Sequence, residues 1–135
     1  MRWLVLAAAL ALGGCAGGFG HDAGKERWEV QNVLPADYKA DLLAFMRSYL
    51  NDPTNIRSAA VSAPQRKPVA GGERYVVCVR YDARKSGGGY AGVKEGMAIY
   101  VSGKLDRFVD SPQEMRESCK DAAYAPFPEL QQLRR

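Results

Sequence analysis

The chain has 135 residues with 19 basic and 15 acidic side chains, a formal net charge of +4. This length, less the N-terminal signal described below, suits one domain of ordinary size. The charges are spread along the sequence, apart from the closing Arg134-Arg135, which predicts a solvated mixed surface. The basic excess suits contact with anionic lipid head groups or cell-wall carboxylates, but it is too small and too dispersed for a nucleic-acid-binding protein.

The first segment of the chain has the three parts of an export signal. Arg2 supplies the positive charge, residues 3–12 are an unbroken apolar run, and two glycines then precede Cys15. Such a run spans only about half of a ~30 Å hydrocarbon core, so it is too short for a transmembrane helix. The alternative, a buried N-terminal core helix, must explain the many glycines that directly follow it. The pattern therefore favours a signal peptide over residues 1–14.

The residues Leu12-Gly13-Gly14-Cys15 resemble the lipobox of bacterial lipoproteins, in which an aliphatic residue and two small residues precede a cysteine. The resemblance implies a diacylglyceryl thioether on Cys15, cleavage before it and acylation of the new amine. Two or more acyl chains hold a protein firmly on a membrane without a spanning helix. In the lipoproteins that it resembles, a second residue other than Asp, here Ala16, implies transfer to the outer membrane. The resemblance therefore predicts a lipid-anchored, periplasm-facing protein of the cell envelope.

Three cysteines would leave one unpaired thiol in an oxidising compartment. If Cys15 carries lipid, Cys78 and Cys119 remain, and an even pair in an exported domain predicts a disulfide. By loop-entropy arguments this bridge stabilises the fold by about 4 kcal/mol. The alternative is a pair of buried structural thiols. No metal site or cofactor is predicted, because two distant cysteines and the sole histidine, His21, do not form a ligand set.

A tether and a helix come next along the chain. Residues 15–25, from the lipidated cysteine onward, are rich in Gly and Ala and predict a flexible tether before the domain at residues 26–135. A helix is predicted from Pro35 and ends at Asn51-Asp52-Pro53. Its apolar residues repeat at intervals of three and four: Tyr38, Leu42, Phe45, Met46 and Tyr49. Its polar face is balanced in charge, so packing on a sheet is the expectation and membrane binding the alternative.

Four strands are predicted after this helix. The first covers residues 56–62. The second covers residues 74–82 and carries apolar residues on both faces, so we expect it at the centre of a sheet. Residues 97–101 and 105–109 alternate again and form a hairpin that turns at Ser102-Gly103.

A second helix is predicted after the hairpin. Ser111, Pro112 and Glu114 have the spacing of a capping box, and Cys119 falls on the face of the helix that looks at the sheet. If this helix packs across the Cys78 face of the central strand, the two cysteines come within disulfide distance. The first helix then covers either the same face or the opposite one.

The C-terminal tail, YAPFPEL, is expected to pack back on the domain through Tyr124, Phe127 and Leu130. Pro126 and Pro128 are expected to exclude a helix and to enforce an extended run. The element order α-β-β-β-β-α predicts a small single α+β domain with an antiparallel sheet of about four strands.

The segment SGGGYAG places Gly87, Gly88, Gly89 and Gly92 around Tyr90. The glycine spacing fits G-x-G-x-x-G, but a dinucleotide site needs those glycines to open a helix, and the next element here alternates as a strand. A P-loop would need Gly-Lys followed by Ser or Thr. The segment is therefore predicted to be a mobile or tightly turned loop between strands. A binding role for these five residues, with Tyr90 as the aromatic contact, is a further hypothesis.

The run VCVRYDARKSGGGYAG resembles a stretch in small exported bacterial proteins of unassigned function. Those proteins carry a cysteine in a strand, then Asn-x-(Lys/Arg)-Asn and then Gly-Gly-Tyr-x-Gly, and Asp-Pro often precedes, as at Asp52-Pro53 here. This chain has Asp82 and Lys85 in place of the two asparagines. The resemblance implies a shared fold and transfers no catalytic residue.

No enzyme chemistry is predicted, because nucleophilic catalysis needs a base beside the nucleophile and the only histidine lies in the tether. Asp106 and Asp110 are close in sequence, but their hairpin and capping positions explain them as surface charges. The sequence predicts a membrane-anchored interaction or structural module that binds an envelope protein or the cell wall and no nucleic acid. The alternatives are a cell-wall-directed hydrolase and a small-ligand-binding lipoprotein.

Overall fold

The computed structural model describes residues 31–70 and 72–135. The predicted signal peptide (1–14), the lipidated Cys15, the tether up to residue 25 and His21 all lie outside the described residues. The described chain contains six strands and three helices. In chain order they are α1 (Tyr38–Tyr49), β1 (Asp52–Ser62), β2 (Gln65–Val69), β3 (Gly72–Arg84), β4 (Lys94–Val101), β5 (Lys104–Val109), α2 (Pro112–Cys119), β6 (Tyr124–Pro126) and α3 (Pro128–Gln131).

The strands form one antiparallel sheet in the order β5-β4-β3-β1-β6. β2 follows β1 along the same edge of β3, where Val61 pairs with Val79 and Gln65 pairs with Val76. The prediction of an α+β domain with an antiparallel sheet is confirmed, but the predicted number of about four strands is wrong. The two strands that were not predicted are charged and contain a proline (QRKPV) or are only three residues long (YAP), so neither shows the alternation that indicates a strand.

The sheet buries apolar side chains on both faces. On one face, Val77, Val79 and Tyr81 of β3 contact α1 and the C-terminal segment. On the other face, Val76 and Cys78 contact α2. The predicted central position of this strand is confirmed, and α1 covers the face opposite the two cysteines.

The first helix forms largely as its periodicity predicts. It begins at Tyr38 rather than at Pro35 and ends at Tyr49, just before the predicted stop. Its two buried side chains, Leu42 and Met46, are 0% exposed, so its apolar face packs on the sheet. The hydroxyl of Tyr100 in β4 donates to the carbonyl of Tyr38 at 2.8 Å and fixes the start of the helix against the sheet.

The hairpin of β4 and β5 also forms as predicted. Ser102 and Gly103 make its two-residue turn with φ of 53° and 76°, the left-handed conformation that such turns require. The backbone N–H of Ser102 donates to the carbonyl of Gln31 at 2.7 Å. The described chain therefore enters the domain beside this turn.

The second helix carries the predicted disulfide. It begins at Pro112, as expected, but Ser111 makes no side-chain cap hydrogen bond, so the predicted capping box is wrong in that detail. Pro112 is sufficient to set this start, because its missing N–H and restricted φ suit a first helical position. The Cα atoms of Cys78 and Cys119 are 5.9 Å apart, and the two cysteines form a disulfide. The bond ties the centre of β3 to the last residue of α2.

The C-terminal tail packs back on the domain as expected. Its first part, β6, pairs with β1, and Phe127 and Leu130 are 0% exposed. The expectation that Pro126 and Pro128 exclude a helix is wrong, because α3 begins at Pro128. Proline is tolerated in the first turn of a helix, where its missing N–H would have no intrahelical partner.

Candidate functional site: a cationic cleft

A cleft of about 1090 Å³ opens at the end of the sheet where β4 begins. β5 ends at Val109, which pairs with Met97, so Lys94, Glu95 and Gly96 of β4 extend beyond their neighbouring strand. The chain turns there from β5 into α2. The cleft therefore lies along the open edge of β4, between the end of α1, the end of β3 and α2. We call this depression the cationic cleft.

An aromatic cluster supports one side of the cleft. The rings of Phe45, Tyr49 and Phe108 lie with each pair of centroids 5.1 Å apart. Phe108 lies directly over Gly96, where a Cβ atom would overlap its ring. Only glycine fits at this position without displacement of the cluster.

The hydroxyl of Tyr49 donates to Asp110 Oδ2 at 2.8 Å. Burial, together with this hydrogen bond to a carboxylate, raises the pKa of Tyr49 to about 12. Tyr49 is therefore a neutral donor at physiological pH. It holds Asp110 at the point where the chain turns towards α2.

The second carboxylate of the cleft, Glu95, is also engaged. The hydroxyl of Tyr124 donates to Glu95 Oε1 at 2.7 Å, and Arg80 Nε lies 3.5 Å from Glu95 Oε2. The guanidinium of Arg80 lies 4.1 Å from the centroid of the Tyr124 ring. Burial, and then the hydrogen bond to Glu95, raise the pKa of Tyr124 above its ordinary value.

Positive charge dominates the lining of the cleft. Six cations line it, against the two carboxylates just described: Arg80, Arg84, Lys85, Lys94, Arg116 and Lys120. The resulting net charge of four equals that of the entire chain, +4. The excess charge that is dispersed along the sequence is therefore concentrated in space.

Four of these cations form no salt bridge among the described residues, although Arg84 interacts electrostatically with Asp52 and Arg116 with Glu117. Within residues 31–70 and 72–135, Arg84, Lys85, Lys94 and Arg116 form no salt bridge. They lie on β3, on the segment that follows it, on β4 and on α2. Two strands, one helix and the segment after β3 thus bring these four cations to one depression.

The glycine-rich segment is a tight loop beside the cleft. Gly88, Gly89 and Gly92 have φ between 74° and 95°, and the N–H of Lys85 donates to the carbonyl of Gly89 at 2.9 Å. The segment leads into β4 and opens no helix, which agrees with the loop predicted in place of a nucleotide site.

Tyr90 anchors this loop away from the cleft. Its hydroxyl donates to the carbonyl of Asn55 at 2.8 Å, and the guanidinium of Arg57 lies 3.7 Å from its ring centroid. The buried Asp82 accepts hydrogen bonds from Arg57 Nε at 2.9 Å and from the N–H of Gly92 at 3.0 Å. Asp82 therefore joins β1 to the end of the loop.

None of the predicted loop residues Gly87, Gly88, Gly89, Tyr90 and Gly92 lines the cleft. The loop contributes Lys85, Ser86 and Ala91 instead. Sequence reasoning missed the cations of the cleft, although one signal was present. Arg84 and Lys85 end one strand and Lys94 begins the next antiparallel strand, so these charges had to meet at one edge of the sheet.

Metal-ligand groups and membrane-spanning helices are absent from the part of the chain that the structure describes. No group of three or more His, Cys, Asp or Glu side chains lies close enough there to hold a metal ion. Both described cysteines, Cys78 and Cys119, are joined in the disulfide, and Cys119 lines the cleft. No described helix is both long and apolar enough to cross a membrane.

Comparisons with known proteins give no match to this chain. Neither the protein-family models, nor the curated proteins, nor the solved structures contain one that matches. The cationic cleft and the targeting signal of the sequence are therefore the two features that bear on function.

Proposed function

We propose that the protein is a lipid-anchored lipoprotein of the cell envelope that acts by binding rather than by catalysis. In this proposal Cys15 carries the lipid, the domain faces the periplasm, and Ala16 directs the protein to the outer membrane. The lipobox supports the anchor, and the disulfide of the domain suits an oxidising compartment. The cationic cleft is the surface that receives the partner.

The observation that carries the proposal is the concentration of positive charge in a cleft of about 1090 Å³. A net charge of four in one depression raises the local concentration of anions, whereas the same charges scattered over the surface would be screened separately. The hydroxyls of Tyr49 and Tyr124 hold Asp110 and Glu95 in place, and Glu95 forms its salt bridge with Arg80, so the other cations of the lining do not share this carboxylate as a salt-bridge partner.

A second function, the binding of a small anionic ligand, is favoured by the volume of the cleft. Small-molecule sites commonly have volumes of about 300–1,000 Å³, and the cleft, at about 1090 Å³, is slightly larger than that range. An envelope component and a small ligand differ in size, so crosslinking distinguishes them.

Two experiments test the proposed function. Cys15→Ser should produce an unlipidated precursor or a soluble species, and its recovery in membranes at the mass of the lipidated protein would exclude the anchor.

A photoreactive amino acid at Ser86, in the cleft, should capture a defined envelope component in living cells. The same amino acid at Lys104, at the opposite end of β4, is the matched control and should capture less of that component. Equal capture at both positions would contradict the assignment of the cleft as the binding surface. Capture of a small ligand would leave the mass of the crosslinked protein on a gel unchanged.

A further inference from the structure

We propose that the cationic cleft binds a polyanion, a polymer that carries carboxylates or phosphates at intervals along its length. The inference rests on the proposed function, since it takes the cleft as the binding surface, and it adds the chemical class of the ligand.

The cations of the cleft favour a ligand that carries several negative charges. Arg84, Lys94 and Arg116 converge on one cleft without a salt-bridge partner among the described residues, although like charges in proximity repel one another. Each is attached to a different secondary-structure element, so the fold itself holds them together. A ligand with several negative charges relieves this repulsion at every position at once.

The cations of the cleft are spread around it and do not converge on one point. A single small anion is best held by donors that converge on one point, such as the free N–H groups at the start of a helix. Here the cations lie around the cleft, and the carboxylates Glu95 and Asp110 lie among them. These carboxylates repel an anion placed beside them, so negative groups are favoured only at the separate cations. This pattern fits anionic groups that are spaced along a chain.

The first described residue, Gln31, lies far from the cleft. The described chain begins at Gln31, whose carbonyl accepts the N–H of Ser102 at the β4–β5 turn. The cleft lies at the other end of β4, beside Lys94. The eight residues of β4 separate these two ends by about 24 Å. Access to the cleft is therefore separate from the end of the domain at which Gln31 lies.

The test uses the full lipidated chain in detergent micelles and measures fluorescence anisotropy of labelled poly-L-glutamate. Unlabelled inorganic polyphosphate, added as a competitor, distinguishes the phosphate from the carboxylate ligand by their relative affinities. The cleft variant combines Arg84→Gln, Lys94→Gln and Arg116→Gln. The matched control removes the same number of charges outside the cleft: Lys39→Gln, Arg66→Gln and Lys104→Gln. Thermal unfolding of both variants checks that the domain is folded.

We expect the wild type to bind at least one of the two polymers, with an affinity that falls as salt is added. Each exposed ion pair contributes about a twofold to threefold gain in affinity, so the cleft variant should bind about tenfold more weakly than the wild type. The control variant should change affinity by less than about threefold. A failure to bind either polymer, or equal losses in the two variants, would overturn the inference.

A vesicle experiment addresses the competing ligand. Val93 is 60% exposed beside Lys94, and a membrane contact at this end of the domain would use both residues. Co-sedimentation with phosphatidylglycerol vesicles uses the unlipidated Cys15→Ser chain and the same chain with Val93→Ser. Vesicle binding that depends on Val93, without polymer binding, would assign the cleft to a lipid surface and overturn the inference. Failure of both arms while Ser86 still captures an envelope component would leave the proposed function intact with a ligand of different chemistry.

Discussion

Removal of the disulfide should destabilise the domain more than the loss of most single contacts would. The bond closes a loop with a sequence separation of 41, and loop-entropy arguments assign such a loop about 4 kcal/mol. That amount is a large part of the 5–15 kcal/mol by which ordinary domains are stable. We therefore expect the double variant Cys78→Ala/Cys119→Ala to lose about 4 kcal/mol of unfolding free energy.

The structure also predicts where the loss appears first. α2 has eight residues, whereas isolated helices shorter than about 12–15 residues are marginal in water. Ser111 provides no side-chain cap, so the disulfide and the burial of Met115 carry much of its attachment to the sheet. Amides of α2 should therefore lose hydrogen-exchange protection before those of β3. Arg116 lies on the same helix, so polyanion binding should weaken in the same variant.

The assay is urea unfolding followed by circular dichroism, with amide exchange to locate the change. Wild-type protein treated with a reductant is the control, because reduction breaks the bond and keeps both sulfur atoms. It should show most of the loss seen in the double variant. A loss of less than about 1 kcal/mol, or two free thiols in the denatured exported protein, would refute the reasoning.

Three further predictions concern the surroundings of the cleft. Asp82→Ala should cost about 1–3 kcal/mol, because the N–H of Gly92 loses its acceptor and Arg57 its buried carboxylate. Gly96→Ala should cost about 1–3 kcal/mol in urea unfolding, because its methyl group would overlap the ring of Phe108. The folded pKa of Tyr49 is about 12, above its ordinary value of 10.0, so its contribution is complete below pH 10 and is lost as the pH rises towards 12.

Each of these three predictions has a matched control. Asp82→Asn keeps a carbonyl that can accept the Gly92 N–H, and it should cost less than half of the loss in Asp82→Ala; equal losses would exclude the hydrogen bond as the cause. Gly87 has open space around it and no positive φ, so Gly87→Ala should be close to neutral, and a larger loss there than at Gly96 would contradict the packing argument. Tyr49→Phe should reduce the fall in unfolding free energy between pH 10 and 12, and an unchanged slope would mean that the more deeply buried tyrosines, such as Tyr81 and Tyr100, cause it.

Much of the fold could be predicted from the sequence because its elements are periodic and their neighbours are local. α1 shows repeats of three and four residues, the β4–β5 hairpin has a two-residue turn, and β3 is apolar on both faces. The disulfide followed from counting cysteines. β2 and β6 were missed because their strand structure depends on the neighbours that they pair with, β3 and β1, and not on their own short and polar sequences.

The α3 error has a different cause. The proline pair Pro126 and Pro128 predicts an extended run without a helix, but proline opposes only the interior of a helix and is tolerated in its first turn. Phe127 and Leu130 are both fully buried, and this burial favours the helical turn that brings them to the core together. Tertiary packing therefore decided a local structure that the dipeptide pattern left ambiguous.

The cationic cleft is difficult to predict from the sequence, because its charges are separated along the chain. Arg80 and Arg84 lie on β3, Lys94 lies on β4, and Arg116 follows more than twenty residues later on α2, so no window of the sequence contains a basic run. The sheet register brings the first three together, and the Cys78–Cys119 disulfide fixes the helix that carries the fourth. The glycine-rich loop is the most conspicuous motif of the sequence. Its Tyr90 packs against Asn55 and Arg57 of β1, and the neighbouring Lys85 lines the cleft. In this domain, the cations that β3 and β4 bring to the cleft therefore lie at the facing ends of these paired strands and not within the glycine-rich motif that joins them.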